Sequence, residues 1–232
     1  MNRAQAAAVA LASLLVMACS RGSELPQPSP MPPHAATPAS PATTGTAEPL
    51  LLLPGKLRRD TTIADLQAQY GRGNVRIGDV PGPEGTTEQG AILFPDDPAR
   101  RAYVYFHDGM QPRRLESVRV FDPESRWQLE CGVRIGMPFH ALRRLNGKPF
   151  RFGGLGWDYG GYVDWNGGTL ARRDGDAAEI GVRLDAHDQA QVDADTYPIG
   201  EGVFSSDDPA WPRMAAALMV SQISVSFPRG AE

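Results

Sequence analysis

The sequence predicts an α+β fold of two tandem units, each a short helix packed on an antiparallel sheet of about four strands. Three observations predict this class. Two short amphipathic segments each end at a glycine, alternating apolar and polar residues follow each segment, and the two halves match at fixed offsets. Such alternation is typical of antiparallel strands with one face buried and the other in water.

The two predicted helices share a pattern of apolar residues and a terminal glycine. The segments Ile63–Gly71 and Phe139–Gly147 are 76 residues apart, and in each an apolar residue is followed by Leu three positions later and by Gly five positions after that. A glycine directly after the last helical residue is a common C-cap. Thr61 and Thr62 supply an N-cap for the first helix, because a threonine hydroxyl accepts hydrogen bonds from free backbone N–H groups.

The predicted strands also match between the two halves. At the offset of 76 residues Val104 aligns with Ile180, and at an offset of 105 residues Leu115–Val120 resembles Val220–Val225. The difference of 29 residues indicates an insertion at 185–213, a segment rich in Asp, Pro and Gly. An internal duplication is therefore predicted, with repeat 1 at about 57–125 and repeat 2 at about 132–228. Chance similarity between short runs rich in Val and Leu is the alternative.

The N-terminus has the pattern of a secretion signal. Arg3 is its only charge, and an apolar run from Ala6 to Ala18 has the length of a signal-peptide core. The run is too short for a transmembrane helix, which needs ~20 apolar residues. It ends in Val-Met-Ala-Cys at Cys19, which resembles the lipobox of bacterial lipoproteins.

The lipobox resemblance implies a signal peptide over residues 1–18, cleavage before Cys19 and acylation of Cys19 itself. Acyl chains would anchor the protein to a membrane. Ser20 follows the cysteine where Asp typically retains a lipoprotein at the inner membrane, so the resemblance implies a periplasm-facing position at the outer membrane. An ordinary signal peptide with a chance cysteine is the alternative.

A disordered tether is predicted between the anchor and the globular part. Residues 20–49 contain eight of the 21 prolines of the chain, together with many Ser, Thr and Ala. Such a segment has too little apolar surface to bury, and so cannot form a folded core. The tether is expected over residues 19–49 and the globular domain over residues 50–232.

Charge and cysteine content narrow the functional classes. The net charge is −4, and no Lys/Arg cluster is long enough to predict nucleic-acid binding. If Cys19 is acylated, Cys131 is left as a lone thiol in a run, Trp127–Val133, that is typical of a strand. A free cysteine is usually a small buried residue, and that is the expectation for Cys131 over a reactive thiol.

A second family resemblance concerns the fold. Residues 136–149 read GMPFHALRRLNGKP, which resembles the Gly-Met-x-x-x-x-Leu-x-x-Leu-x-Gly-x-Pro signature of the small outer-membrane lipoproteins of the beta-barrel assembly machine. The tandem arrangement resembles the beta-lactamase inhibitory protein. These resemblances imply a helix on a sheet, with Leu142 and Leu145 facing the sheet, and in the inhibitor fold the concave sheet surface holds the partner. Neither family's binding residues can be placed on this chain, and a fold does not determine a function.

The segment 153–168 is the richest in aromatic and acidic residues, and its order also resembles that of uncharacterised bacterial proteins, which implies no activity. Its Asn166-Gly167 dipeptide predicts a tight turn, and its aromatic rings could pack across a sheet. The alternative is an aromatic surface with interleaved carboxylates that binds a sugar or a loop of a partner protein. The candidate binding surface comprises Trp157, Asp158, Tyr159, Tyr162, Asp164 and Trp165.

No catalytic, cofactor-binding or metal-binding motif is recognisable in the sequence. No catalytic residue, metal ligand or cofactor is therefore predicted, although missing motifs do not exclude an enzyme. The leading hypothesis is a non-catalytic envelope lipoprotein that acts as a protein-binding or scaffold module in the periplasm. One alternative is a glycan-binding or glycan-processing enzyme with Asp158 and Asp164 as its carboxylates, and another is an inhibitor of a periplasmic enzyme.

Overall fold

Strands and short helices alternate along the chain in a computed structural model, which describes residues 50–107, 114–172, 177–187 and 194–228. The predicted signal peptide, Cys19 and the predicted tether all lie outside the described residues. Across the described ranges there are three α-helices and antiparallel sheets. The predicted α+β class is confirmed.

The elements follow one another in chain order with short connections. The strands are β1 (Leu51–Leu53), β2 (Val75–Pro81), β3 (Thr87–Leu93), β4 (Ala102–Phe106), β5 (Leu115–Val120), β6 (Trp127–Leu129), β7 (Arg151–Gly153), β8 (Val163–Asp164), β9 (Glu179–Ala186), β10 (Val203–Ser205) and β11 (Leu218–Ser226). The α-helices are α1 (Ile63–Tyr70), α2 (Phe139–Asn146) and α3 (Met214–Ala217), and short 3-10 turns cover Arg72–Asn74 and Pro83–Gly85.

The main sheet has six antiparallel strands in the order β2-β3-β4-β5-β11-β9. The pairing of β5 with β11 joins the two halves of the chain. In this pair Arg119 lies opposite Ser224, and Val118 lies opposite Val225. These pairs join residues that are more than 100 positions apart in the chain.

The second half of the chain departs from the predicted sheet of four strands. Its β7 and β8 belong to a separate three-stranded sheet in the order β10-β7-β8, and an isolated bridge between Tyr162 and Arg183 links this region to β9. The predicted insertion supplies β10. The predicted strand alignment is also off by two residues. In the first half Val104 pairs with Val118, and the predicted equivalents of these two residues are Ile180 and Ile223. In the structure Ile223 pairs with Val182 instead. Duplication as such stays a prediction.

The helix ends agree with the sequence prediction. At the start of α1, Thr62 and Asp65 form a reciprocal capping box, with the Thr62 hydroxyl accepting from the Asp65 N–H at 3.2 Å. At the end of α2, Gly147 is left-handed with φ 70°, a conformation that glycine adopts without a Cβ clash. Among the described residues, no helix is both long and apolar enough to cross a bilayer.

One residue of α2 was assigned to the wrong side of the helix. Leu142 is fully buried as predicted, but Leu145 is 38% exposed. Asn146 takes the buried position instead, since it follows Leu142 by four residues and four residues complete about one turn of 3.6.

The core lies between the helices and one face of the main sheet. Its largest buried side chains include an aromatic cluster in which Phe139, Phe150 and Phe152 meet edge to face, with ring centroids 5.2–6.4 Å apart. Burying one such side chain stabilises the fold by roughly 1.5–3 kcal/mol. The buried indole of Trp127 donates from Nε1 to the carbonyl of Arg100 at 2.7 Å, so its polar atom is satisfied.

Cys131 is exposed, and the expectation of a small buried residue is wrong. The predicted strand ends at Leu129, where a tight turn begins. Gly132 has φ 86°, and its N–H donates to the carbonyl of Leu129 at 2.7 Å. Cys131 therefore lies in the turn that follows β6, where no neighbouring strand covers it.

Candidate binding groove

A groove of about 1070 Å³ lies over the face of the main sheet that is opposite to the core. Successive side chains of a strand point to opposite faces, so each strand contributes alternately to the core and to the groove. On β5, Val118 and Val120 are buried in the core, whereas Arg119 between them lines the groove. The volume is at the upper end of the range for binding pockets, ~300–1,000 Å³.

The floor of the groove is a row of residues in register across four strands. Tyr103 on β4 lies opposite Arg119 on β5, which lies opposite Ser224 on β11, which lies opposite Gly181 on β9. Of these, Arg119, Ser224 and Gly181 line the groove. From β4 to β9 the row consists of an aromatic ring, a guanidinium, a hydroxyl and a glycine without a side chain, so each strand presents a different chemical group.

A small apolar cluster supports one side of the floor. Tyr105 packs with Val80 and Ile92, and its hydroxyl donates to the carbonyl of Pro81 at 2.8 Å. Burial raises the pKa of Tyr105 to about 12, so the hydroxyl stays protonated at neutral pH. The Arg119 guanidinium lies 4.1 Å from the centre of the Tyr105 ring, which is a cation–π contact.

Two loops meet at the mouth of the groove. The turn at Pro83–Gly85 joins β2 to β3, and the loop between β7 and β8 carries Tyr159. The Tyr159 hydroxyl donates to a Glu84 carboxylate oxygen at 3.2 Å. This hydrogen bond, together with the Glu84 negative charge, raises the pKa of Tyr159. The contact joins segments 75 residues apart and narrows the opening.

The β7–β8 loop is held on the sheet by Arg183 and by one glycine. Arg183 on β9 donates from Nε to the Gly160 carbonyl at 2.7 Å and from Nη2 to the Trp157 carbonyl at 3.2 Å. Gly161 has φ 78°, and a Cβ there would lie 2.1 Å from the Leu184 carbonyl oxygen. Glycine is therefore required at 161 for the loop to approach β9 this closely.

The structure places the predicted binding residues unequally. Four of the six are exposed and line the groove: Asp158, Tyr159, Tyr162 and Asp164. Trp157 is half-buried, and its Nε1 donates to the Gly154 carbonyl at 2.8 Å. It supports the loop from behind and is not among the residues that line the groove.

Trp165 is mostly a core residue and not an exposed ring as predicted, although part of it lines the groove. Its ring is only 6% exposed and packs on Phe150, with 6.2 Å between the ring centroids. Its Nε1 donates to the Ile180 carbonyl at 3.2 Å. The ring is buried because the turn at Asn166-Gly167, where both residues have positive φ, reverses the chain and directs Trp165 inward.

The carboxylates of Asp158 and Asp164 are both in contact with solvent. Asp164 accepts from the Arg151 guanidinium at 2.7 Å and from the Asn166 N–H at 3.0 Å. A glycosidase general acid needs an apolar environment that keeps it protonated, and neither side chain has one, since both are exposed. In the part of the chain that the structure describes, no three His, Cys, Asp or Glu side chains converge on a metal site.

Sequence reasoning missed the residues of the groove floor. Arg119, Ser224 and Tyr105 lie in strands whose alternation was recognised, but only their apolar neighbours were used as a signal. The polar positions of the runs LESVRV and VSQISV are the signal that could have identified these residues. In an antiparallel strand they lie on the face opposite the core, and that face either meets solvent or binds a ligand.

Comparison of the chain with protein-family models, curated proteins and solved structures gave no match.

Proposed function

We propose that this protein is a non-catalytic binding module that receives a partner protein in its groove, and that an acylated Cys19 holds it at the outer membrane. The observation that supports this most is the groove itself. About 1070 Å³ of open space lies over a sheet face lined by exposed tyrosines, charged groups and backbone. Neither carboxylate of the β7–β8 region has the environment of a catalytic acid, which favours binding over catalysis.

The exposed rings of the groove have the properties of interface anchors. Tyr159 is 49% exposed and Tyr162 is 41% exposed, which leaves large apolar area in water. Tyrosine loses little conformational entropy on binding and is enriched at interface hot spots. The Tyr162 ring lies 5.5 Å from the Arg183 guanidinium, and the Tyr159 ring is held by Glu84, so both rings are oriented before a partner arrives.

The proposal is tested by photo-crosslinking in intact cell envelopes. A benzoylphenylalanine at Tyr162 places the reactive group in the groove, and one at Leu145 on α2 is the control. The two residues are similarly exposed, at 41% and 38%, but lie on opposite sides of the sheet. We expect a discrete crosslinked protein from Tyr162 and none of the same mass from Leu145.

A second arm measures the contribution of the rings. Tyr162→Ala should weaken binding of the crosslinked partner by about thirtyfold, as truncation of a hot-spot tyrosine costs on the order of 2 kcal/mol. The crosslinker would then be moved to Asp158, which is also exposed in the groove. Equal crosslinking from both faces, or no crosslink from either groove position, would contradict the proposal.

A further inference from the structure

The charges around the groove are unevenly distributed. The described residues of its lining include three arginines and five carboxylates, namely Arg119, Arg172, Arg183, Glu84, Asp158, Asp164, Glu179 and Asp185. Carboxylates therefore outnumber arginines in the described lining, even though Asp164 is paired with Arg151. Arg119 is the arginine of the groove floor, on β5, the fourth of the six strands in the order given above. A ligand meets a cation at the floor and an excess of anions around it.

Arg119 differs from Arg183 in how its donors are used. The Arg183 guanidinium donates two hydrogen bonds to backbone carbonyls of the β7–β8 loop. Arg119 is half-buried and stacks on Tyr105, but it forms no ion pair with any described carboxylate. A ring face satisfies charge but does not accept the in-plane N–H donors of a guanidinium, so these remain available to a ligand.

Two serines lie beside Arg119, and one of them has a hydroxyl without a hydrogen-bond partner among the described residues. Ser224 lies directly opposite Arg119 and lines the groove. Ser117 lies two positions before Arg119 on the same face of β5, is 3% exposed, and its Oγ has no hydrogen-bond partner within the described chain. Buried polar atoms without partners are rare in folded proteins. Ser117 lies beneath the floor and does not line the groove, so Arg119 is the group here whose free donors face a ligand in the groove.

We propose, building on the proposed function, that Arg119 binds the carboxylate of an acidic side chain on an extended segment of the partner. A guanidinium matches a carboxylate with two parallel hydrogen bonds, which a Lys could not provide. The acidic groups around the floor select Lys or Arg residues on both sides of that Asp or Glu. The recognised segment is thus an acidic residue flanked by basic residues.

The same charges argue against polyanions. A phosphate carries up to two negative charges, and nucleic acids or anionic lipid surfaces carry many. Each would meet five carboxylates for three arginines within the groove. A single carboxylate with basic neighbours is the anion that this arrangement fits. Its negative charge is attracted by Arg119, and its basic neighbours are attracted by the carboxylates around the floor.

The test uses two peptide probes on the folded protein. One is acetyl-Lys-Gly-Glu-Gly-Lys-amide and the other has Gln in place of Glu. Binding is followed by the backbone amide signals of Gly181 and Ser224 in a nuclear magnetic resonance titration at millimolar peptide. We expect the Glu peptide to bind about tenfold more tightly than its Gln twin, as is typical of one charge-assisted pair.

Variants then assign this preference to one guanidinium. Arg119→Gln should reduce the preference to less than about twofold, whereas Arg119→Lys should retain part of it. Arg76→Gln is the matched control, since Arg76 is an exposed arginine of the same sheet with a distant partner, Asp96, at 3.8 Å. Ser224→Asp provides an independent arm. It leaves Arg119 in place but supplies an internal carboxylate opposite it, and should also abolish the preference.

Each outcome decides the matter. Equal affinity for the two peptides, no binding of either, or an unchanged preference in both Arg119→Gln and Ser224→Asp would overturn the carboxylate site. If the Tyr162 crosslink nevertheless persists in envelopes, the binding groove stands and only its ligand assignment fails. If the crosslink is absent as well, the proposed function fails with it.

Discussion

Substitution of Asn146 would test how the structure holds the segment 165–170, which lies next to the groove. Asn146 is fully buried at the end of α2, and its side chain joins the helix to the turn that carries Trp165. Its Nδ2 donates to the carbonyls of Lys148 at 3.0 Å and Trp165 at 3.1 Å, and its Oδ1 accepts from the Leu170 N–H at 3.3 Å. Asn146→Ala removes all three hydrogen bonds.

The magnitude follows from burial. Loss of a hydrogen bond costs ~1 kcal/mol net where water replaces it, and ~1–3 kcal/mol where a buried partner is left unsatisfied. The partner groups on Trp165 and Leu170 are in buried residues, whereas water can reach the Lys148 carbonyl. We therefore expect Asn146→Ala to lower the free energy of unfolding by at least about 3 kcal/mol. For a domain of this size the melting temperature should fall by roughly 10 °C.

Urea denaturation followed by tryptophan fluorescence measures this loss. Asn74→Ala is the control, because Asn74 is only half-buried and its side chain donates a single hydrogen bond, to the Tyr70 carbonyl at 2.9 Å. It should cost ~1 kcal/mol. A loss in Asn146→Ala no larger than in Asn74→Ala would refute the reasoning, since it would mean that the buried network adds nothing beyond one ordinary hydrogen bond.

Three further predictions concern single residues. Trp165→Ala should destabilise the fold by ~3–5 kcal/mol as a core truncation, whereas Tyr159→Ala should cost less than ~1 kcal/mol; similar losses in urea melts would argue against the burial of Trp165. Cys131 should react with a maleimide in the native state. Desolvation raises the pKa of its thiol, so its thiolate fraction at neutral pH is lower than in a free cysteine, and the rate should still be rising above the ordinary thiol pKa of ~8.5. Protection of Cys131 until unfolding would contradict its exposure. Cys19→Ser should abolish acyl labelling and release the protein from membranes while the domain at 50–232 stays folded, and persistent membrane association would exclude acylation as the anchor.

Local signals predicted the helices well. Gly71 and Gly147 end their helices, and Thr62 caps the first, because each acts through backbone groups within a few residues of itself. The same locality explains the error at Leu145. Hydrophobicity favours a buried leucine, but the turn at 165–170 offers the Asn146 side chain two hydrogen-bond partners that no local pattern reveals.

The groove depends on contacts between distant segments. Alternation showed that Arg119 and Ser224 lie on strands, yet their positions differ by 105 in sequence and only the β5–β11 pairing places them opposite each other. The contact between Tyr159 and Glu84 likewise spans 75 residues. Chain patterns report which face a residue occupies, but not which other strand completes that face.

The sequence by itself determined the α+β class, the ends of α1 and α2 and the alternation of the strands, because these follow from the periodicity of apolar residues and from the conformational freedom of glycine. Tertiary structure alone decided that Trp165 is buried, that Cys131 is exposed and that Arg119 lines a groove in which the described carboxylates outnumber the arginines. Burial and charge environment are properties of the packed neighbours, and those neighbours come from every part of the chain.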